Sequence, residues 1–243
     1  GCTAVSTVEV ETDSDLPSVG IQGNETLDCT TTAIVLTVTS DKTVTYKWSD
    51  NSTASTISVT NAVADNTEYA VTVTAGNGCS ANTKVSVTVN TTAPTVSIAD
   101  VDDITCAVTQ VQLTANASGV TYAWSNGLGS ASTANVTAAG TYSVTVTDTT
   151  NGCTATESKE VSENKTVPTV LMSTPDQLTC AVTTVELTAN ATNVSYSWSN
   201  GLGTESTAVA SAVGVYSVTV TDLTNGCTAV STVEVETDSD LPS

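Results

Sequence analysis

The chain has 243 residues and a one-sided charge: 25 Asp and Glu face five Lys, with no His, for a formal net charge of −20 at pH 7. Nucleic acids and anionic membranes bind through clusters of Lys and Arg, so this charge excludes both as partners. No apolar run in this sequence is long enough to span a bilayer, and none has the pattern of a secretory h-region. We therefore expect an internal piece of a longer protein, without membrane insertion in this segment.

The seven cysteines favour disulfides over metal binding. None stands in a CxxC pair, and zinc and iron–sulfur sites need closely spaced Cys or His. Disulfides form in oxidising compartments. The sequence thus predicts a secreted, extracellular protein.

Two phrases recur along the chain and define its organisation. The first is YKWSDN, YAWSNGLG and YSWSNGLG around Trp48, Trp124 and Trp198. The second motif has three copies, and each copy ends in Asn-Gly-Cys. The cysteine that ends each copy, which we call the late cysteine of its repeat, is Cys79, Cys153 or Cys227. Prolines mark the boundaries between repeats, which we call seams, at Pro17, Pro94, Pro168 and Pro242.

A longer period is superimposed on the first, because Gly1–Ser18 is identical to Gly226–Ser243, an offset of 225 residues. We predict a tandem array whose 225-residue block holds three domains. The predicted division is 1–17 as the last strand of a preceding repeat domain, 18–93 as repeat 1, 94–167 as repeat 2, 168–241 as repeat 3, and 242–243 as the start of the next linker.

Apolar and polar residues alternate with period two, as in Val111, Leu113 and Ala115, which is typical of half-buried strands. The predicted fold is all-β: tandem immunoglobulin-like β-sandwich domains, each with one edge disulfide. A Trp after the second apolar strand and a Tyr opening a late strand favour this sandwich. The predicted core residues are Leu36, Trp48, Tyr69, Val71, Leu113, Trp124, Tyr142, Val144, Leu187, Trp198, Tyr216 and Val218.

In each repeat one cysteine precedes the first long strand, and we call it the early cysteine; these are Cys29, Cys106 and Cys180. The late cysteine follows the late strand. We predict the bonds Cys29–Cys79, Cys106–Cys153 and Cys180–Cys227, each contributing about 4 kcal/mol by closing a loop within one domain. By the 225-residue offset Cys2 corresponds to Cys227. It is therefore expected to bond to the preceding repeat, at the counterpart of Cys180.

The phrases Trp-Ser-Asn-Gly, Gly-Thr-Tyr-Ser-Val-Thr-Val-Thr-Asp and Asn-Gly-Cys resemble the PKD-like and immunoglobulin-like repeats of giant Bacteroidota cell-surface proteins, and among these the gliding-motility adhesins. The likeness is strongest over 113–153 and 187–227. Repeat 1 departs from it, with Trp48-Ser49-Asp50 in place of WSNG. The resemblance implies a bacterial cell-surface location and a repeat architecture.

The sequence lacks the residues that common enzymatic reactions need, since no His serves as a base and no Gly-rich phosphate loop follows a strand. We predict no enzymatic activity and no cofactor. Acids near the seams are weak calcium candidates, because hard oxygen ligands suit Ca²⁺, but solvated linker charge is favoured in the absence of a DxDxDG loop. These acids are Asp13, Asp15, Asp100, Asp102 and Asp103.

The WSNG phrase allows two interpretations. It could present a binding loop on a rigid sandwich. The favoured alternative is a tight hairpin whose Trp fills the core and whose Asn-Gly adopts positive φ.

Three functions are compatible with the sequence. The leading hypothesis is the structural shaft of an extracellular cell-surface fibre, with neighbouring repeats of the same chain or fibre as partners. Strands of about nine residues give domains of roughly 30 Å, so one block would span on the order of 100 Å. The alternatives are an adhesin whose repeats bind glycan or a partner protein, and a spacer attached to a catalytic domain elsewhere.

The alternating residues of Thr3–Val10 predict a strand that completes a domain of the preceding block rather than repeat 1. Either a continuous chain or donor-strand assembly of separate subunits would place it there.

Overall fold

A computed structural model of the chain describes residues 1–238, so the predicted linker at 242–243 lies outside the described residues. Within that range the chain is all-β, with 21 strands, two short 3-10 turns and no α-helix. Residues 1–19 carry no strand, and Val5, Val8 and Val10 are more than 80% exposed. The assignment of Thr3–Val10 to a preceding domain stays a prediction.

Repeat 1 is a sandwich of two sheets. One sheet has the order β1-β3-β5 and the other the order β2-β7-β6-β4, which is the immunoglobulin-like arrangement with a first strand divided between the two sheets. The strands are β1 (Gly20–Gln22), β2 (Thr26–Asp28), β3 (Ala33–Thr39), β4 (Val44–Trp48), β5 (Thr56–Thr60), β6 (Thr67–Ala75) and β7 (Ser80–Asn90).

Repeats 2 and 3 follow the same strand plan. Repeat 2 has the sheets β12-β10-β8, β11-β13-β14 and β15-β9, and repeat 3 has β16-β17-β19 and β18-β20-β21. The strands of repeat 2 are β8 (Ser97–Ile98), β9 (Ile104–Thr105), β10 (Val111–Asn116), β11 (Val120–Trp124), β12 (Thr133–Val136), β13 (Gly140–Asp148), β14 (Thr154–Val161) and β15 (Glu163–Asn164). Those of repeat 3 are β16 (Leu171–Met172), β17 (Val185–Asn190), β18 (Val194–Trp198), β19 (Thr207–Ala210), β20 (Gly214–Asp222) and β21 (Thr228–Val235).

The described residues group into two compact units, and the middle repeat contributes to both. The first comprises Gly1–Val96, Ala117–Thr121 and Thr145–Ala155; the second comprises Ser97–Asn116, Tyr122–Val144 and the chain from Thr156 onward. The three-domain division at 18–93, 94–167 and 168–241 stays a prediction.

The strands bury one face each. In β3 the alternation leaves Leu36 fully buried, and in β6 Val71 and Val73 are at most 1% exposed. Of the twelve predicted core residues, Tyr69 is half-buried and the other eleven are at most 9% exposed. No aromatic side chain in residues 1–238 is exposed.

Each buried aromatic finds a hydrogen-bond partner for its polar group, as burial requires. The Trp48 indole N–H donates to the Ala54 carbonyl oxygen at 2.9 Å, and Trp124 and Trp198 make the equivalent bonds. The Tyr142 hydroxyl donates to the carbonyl oxygen of Ala138, four residues earlier. Tyr216 repeats this contact, which is the tyrosine corner of immunoglobulin-like folds.

The WSNG phrase forms a tight turn with positive φ at Asn126 (57°) and Gly127 (71°), and the Leu128 N–H donates to the Ser125 carbonyl oxygen. The flanking strands β11 and β12 belong to different sheets. The predicted tight turn is therefore present, but the predicted hairpin is wrong, because the turn carries the chain from one sheet to the other.

Candidate functional site

The two cysteines of repeat 1 lie at opposite ends of its sandwich. Cys29 follows β2, whose last residue Asp28 pairs in parallel with Asn90, the last residue of β7. Cys79 precedes the first residue of the same strand. Eleven residues of β7 separate the two ends, a distance of about 35 Å. A disulfide requires Cα atoms less than about 7 Å apart, so Cys29 and Cys79 cannot bond.

Repeat 3 has the same geometry. Leu178, two residues before Cys180, forms a parallel bridge with Thr237, beyond the end of β21. Cys227 precedes the start of β21. The early cysteine lies where the last strand ends, and the late cysteine lies where that strand begins.

The disulfides join one repeat to the next. Cys29 of repeat 1 bonds to Cys153 of repeat 2, and Cys106 of repeat 2 bonds to Cys227 of repeat 3, each with a Cα–Cα distance of 5.0 Å. The predicted bonds Cys29–Cys79, Cys106–Cys153 and Cys180–Cys227 are wrong. The physical reason is that the last strand leads toward the following repeat, so the early cysteine meets the late cysteine of that repeat. The fold therefore does not place one edge disulfide within each domain.

Cys2, Cys79 and Cys180 are unpaired within residues 1–238. A bond from Cys2 to the preceding repeat stays a prediction, but the observed pattern changes its expected partner. Because Cys227 bonds to Cys106, the counterpart of Cys106, rather than of Cys180, is the partner that the 225-residue offset assigns to Cys2.

A buried asparagine supports the first junction, which we define as the contact between repeats 1 and 2 around Cys29–Cys153. Asn151 is 3% exposed. Its side-chain amide donates to Asn90 Oδ1 at 3.0 Å and to the Thr92 carbonyl oxygen at 2.9 Å, while its Oδ1 accepts from the Cys153 N–H at 2.9 Å. The Asn151 carbonyl oxygen also accepts from the Cys29 N–H. One residue thus links the late-cysteine loop to the end of the preceding repeat.

The second junction, around Cys106–Cys227, repeats this arrangement. Asn225 is 3% exposed and donates to Asn164 Oδ1 at 3.1 Å and to the Thr166 carbonyl oxygen at 2.8 Å. Its Oδ1 accepts from the Cys227 N–H at 2.8 Å. Both junctions therefore combine one covalent bond with the same buried amide contacts.

The glycine between the asparagine and the cysteine allows the two loops to meet. Gly226 has φ of +70°, and a Cβ placed on it would lie 2.6 Å from the Ala107 Cβ. Gly152 is in the same conformation, with φ of +69°, and a Cβ there would meet the Thr30 side chain. Both positive φ and close approach require glycine.

A short turn presents each early cysteine. In repeat 2, Thr105 Oγ1 accepts from the backbone N–H groups of Ala107 and Val108. In repeat 1 the equivalent acceptor is a carboxylate: Asp28 Oδ1 accepts from the N–H groups of Thr30 and Thr31. The Thr30 hydroxyl donates to the same oxygen, and these hydrogen bonds lower the pKa of Asp28.

The calcium candidates are dispersed. Asp13 accepts a hydrogen bond from the Asn77 side chain, which lowers its pKa, and the Asp15 carbonyl oxygen accepts from the same amide. Asp100 forms an ion pair with Lys159, which lowers the pKa of that carboxyl. Asp102 and Asp103 line a shallow depression of the second unit. Among residues 1–238, no group of three Cys, Asp or Glu side chains is arranged to hold a metal ion.

Reasoning from the sequence missed Asn151 and Asn225 as structural residues. The available signal was the Asn-Gly-Cys sequence, which occurs in all three repeats. Because hydrogen bonds within a hairpin turn also explain an Asn-Gly pair, the phrase alone did not reveal a contact with the neighbouring repeat.

No protein-family model matches the chain, and no curated protein matches it. Its fold is similar to the three N-terminal domains of the highly immunogenic outer capsid protein of bacteriophage RB49, with TM-score 0.36 and 16% identity over 91% of this chain and 99% of that one. It is also similar to domains 1–6 of the surface layer protein SbsC, with TM-score 0.31 and 16% identity over 94% and 41% of the two chains. Likenesses of this size do not assign the chain to a family. Residues 1–238 contain no helix long and apolar enough to cross a membrane.

Proposed function

We propose that the chain is a segment of the structural shaft of an extracellular cell-surface fibre, built from tandem immunoglobulin-like repeats and without catalytic activity. The observation that carries this proposal is that both disulfides join successive repeats rather than closing single domains. Disulfides persist in oxidising compartments, which supports an extracellular location. The resemblance of the repeats to those of Bacteroidota surface proteins agrees with a bacterial cell surface.

The interleaved bonds shorten the path along which tension passes. The main chain from Cys29 to Cys227 contains 198 residue steps. With both disulfides formed, force passes from Cys29 to Cys153, back along the chain to Cys106, and then to Cys227. Only the 47 steps between Cys106 and Cys153 can then extend. At about 3.6 Å per residue, the taut length falls from about 700 Å to about 170 Å.

A shaft under tension needs this limit on extension. Unfolding a repeat in an unlinked array releases its full length, whereas here the covalent bypass holds neighbouring repeats together even after their cores open. High negative charge with few Lys adds mutual repulsion between fibres and keeps them apart.

The adhesin alternative requires a repeated, exposed recognition surface. Aromatic side chains commonly supply such surfaces, but the nine aromatic residues of this chain are all buried or half-buried. This observation favours the shaft. Binding of the purified chain to a glycan array would favour the adhesin instead.

Single-molecule pulling from the two termini tests the shaft proposal. We expect the oxidised chain to reach a fully extended length about 530 Å shorter than the reduced chain, because the two disulfides bypass 151 residue steps. Equal lengths in the two states would contradict the proposal, since the disulfides would then carry no load.

Matched variants divide the effect between the two bonds. Cys29→Ser with Cys153→Ser should leave 77 extensible steps between Cys29 and Cys227, and Cys106→Ser with Cys227→Ser should leave 74. Both lengths lie near 270 Å, between the oxidised and reduced extremes.

Electron microscopy of a polypeptide with many tandem blocks should show a thin fibre, and isolated globular particles would contradict the proposal.

A further inference from the structure

We propose that Cys180 and Cys79 are the two halves of a third inter-repeat disulfide, which joins each 225-residue block to the next copy of the same block. The partner is thus a second copy of this chain segment, with its repeat 1 placed against repeat 3 of the preceding copy. The inference rests on the proposed shaft for its tandem arrangement, and it adds a covalent bond at the junction between blocks.

The surroundings of Cys180 match those of a cysteine that is already bonded. Thr179 Oγ1 accepts from the N–H groups of Ala181 and Val182, as Thr105 Oγ1 does beside Cys106. The Thr179 N–H donates to the Val182 carbonyl oxygen, which repeats the bond from Thr105 to Val108. Cys180 is exposed at this turn.

The early-cysteine turn is also held at the same place in its sandwich. The Leu178 N–H donates to the Glu236 carbonyl oxygen, and in repeat 2 the Ile104 N–H donates to the carbonyl oxygen of Ser162. Cys180 therefore lies at the end of repeat 3 from which the next repeat would continue.

The loop of Cys79 already makes the asparagine contacts of a junction. The Asn77 amide donates to the Asp15 carbonyl oxygen at 3.1 Å, and the same side chain lowers the pKa of the Asp13 carboxyl. Asn77 Oδ1 accepts from the Cys79 N–H at 3.0 Å. The bonds to the Asp15 carbonyl oxygen and from the Cys79 N–H correspond to those of Asn225 with the Thr166 carbonyl oxygen and the Cys227 N–H. Asp13 takes the sequence position of Asn164, whose Oδ1 accepts from Asn225.

The 225-residue offset identifies the sequence counterparts of Asp13 and Asp15. They are the counterparts of residues 238 and 240, which follow β21 at the end of repeat 3. Residues 164 and 166 occupy the same positions at the end of repeat 2, after β14, 74 residues earlier. The first residues of the chain therefore contact repeat 1 as the end of a repeat 3 would, and the matching early cysteine of that repeat is Cys180.

Space for the second copy is present at Gly78. Its φ is +83°, in the same region as that of Gly226, yet no atom of the residues that the structure describes lies within 4 Å of a Cβ placed there. At Gly226 that space is taken by Ala107, the residue after Cys106. The residue after Cys180 is Ala181, so the same small side chain would meet Gly78.

The bond forms by oxidation of two thiols. Cys180 and Cys79 lose two protons and two electrons to a disulfide oxidant such as oxidised glutathione, a new Sγ–Sγ bond forms, and the glutathione disulfide is reduced to two thiols.

The test uses a polypeptide in which a second copy of residues 19–243 follows the complete chain. It contains thirteen cysteines, since the chain has seven and the added block six. After refolding in glutathione buffer, we expect three free thiols by thiol titration under denaturing conditions, namely Cys2, Cys79 of the first copy and Cys180 of the second. Five free thiols, with the bonds Cys29–Cys153 and Cys106–Cys227 intact, would overturn the proposal.

Matched variants identify which copies are joined. Mass spectrometry of an unreduced digest should show a peptide pair linked through Cys180 and Cys79. Cys79→Ser in the second copy should abolish this pair, while Cys79→Ser in the first copy should leave it unchanged. The reverse result would show bonding within one copy and would contradict the inference. The single-chain pulling result does not depend on this bond, so the shaft proposal and this inference can fail separately.

Discussion

The late-cysteine loops of repeats 1 and 2 have the same Asn-Gly-Cys sequence but differ in burial. Asn151 is 3% exposed beside a formed disulfide, whereas Asn77 is exposed and Cys79 is unpaired. Both asparagines nevertheless hydrogen-bond to the stretch of chain that precedes their own repeat. The amide contacts therefore form without the disulfide, and the early-cysteine turn of a complete preceding repeat is what buries them.

This difference separates two roles within one junction. The asparagine positions the loop against the connecting chain, which brings the late cysteine to the place where the early cysteine arrives. The disulfide then fixes the arrangement. Replacing the asparagine by alanine should therefore lower the free energy of unfolding more at Asn151 than at Asn77.

The largest effect is expected from removing a junction disulfide. Cys29→Ser with Cys153→Ser opens a loop with a sequence separation of 124, which in the chain-entropy model costs about 5 kcal/mol. The free energy of unfolding from urea denaturation measures this loss. Cys79→Ser is the control, because that thiol is unpaired and its removal should change stability by less than about 0.5 kcal/mol.

A chelator should have a much smaller effect than a reductant on the same denaturation curve. The two junction disulfides are covalent, while the seam acids Asp13 and Asp100 are engaged by Asn77 and Lys159. A lower midpoint with chelator than with reductant would show that metal binding, rather than the disulfides, dominates stability.

Removing the asparagine side chain should have an intermediate effect. Asn151→Ala leaves the Cys153 N–H and the Thr92 carbonyl oxygen without their buried partner, at a cost of about 2 kcal/mol. Asn77→Ala removes exposed contacts and should cost about 0.5 kcal/mol or less. Equal losses for the two variants would mean that burial at the junction does not strengthen the amide contacts.

Replacing the loop glycines Gly226 and Gly78 by alanine should produce a smaller difference in stability between a formed junction and the unpaired loop. Both Gly226→Ala and Gly78→Ala introduce strain of about 1 kcal/mol, because both positions have positive φ. Gly226→Ala should lose about 1 kcal/mol more, since its Cβ would lie 2.6 Å from the Ala107 Cβ. Compared with the Ala107→Gly single variant, the double variant should recover most of that additional loss, because the 2.6 Å contact is removed while the Ala107 N and Cα stay at 3.3 and 3.4 Å. No recovery would show that the loops are not in close contact.

The sequence predicted the sandwich well because its signals are local. Period-two alternation gave the strands, and Trp48 with Val71 gave the centre of the core, where both are 1% exposed. The disulfide pattern was not local. Choosing between Cys79 and Cys153 as the partner of Cys29 required knowing that β2 pairs in parallel with the end of β7. A repeat makes the cysteines of neighbouring domains equivalent in sequence, so spacing alone cannot distinguish bonding within a repeat from bonding between repeats.

The smallest effect should be a pH dependence of the first junction. Asp148 accepts from the Thr150 hydroxyl and from the Thr150 and Asn151 N–H groups, and these bonds lower its pKa, as the equivalent bonds lower that of Asp28. A pKa that is lower in the folded state means that the carboxylates stabilise the fold above the unfolded pKa of about 3.9.

This stabilisation is lost as the pH falls below about 4, through the lowered pKa of the folded state, because the unfolded chain takes up protons first. Asp28→Asn with Asp148→Asn should therefore reduce stability at pH 7 and flatten its decline between about pH 4 and pH 2. The wild type should keep the steeper decline, and Asp13, Asp41 and Asp100, whose pKa values are also lowered by hydrogen bonds, account for the slope that the variant retains. Urea midpoints measured across this range make the comparison. A variant whose curve runs parallel to that of the wild type would show that the two carboxylates of the first junction do not contribute to its stability.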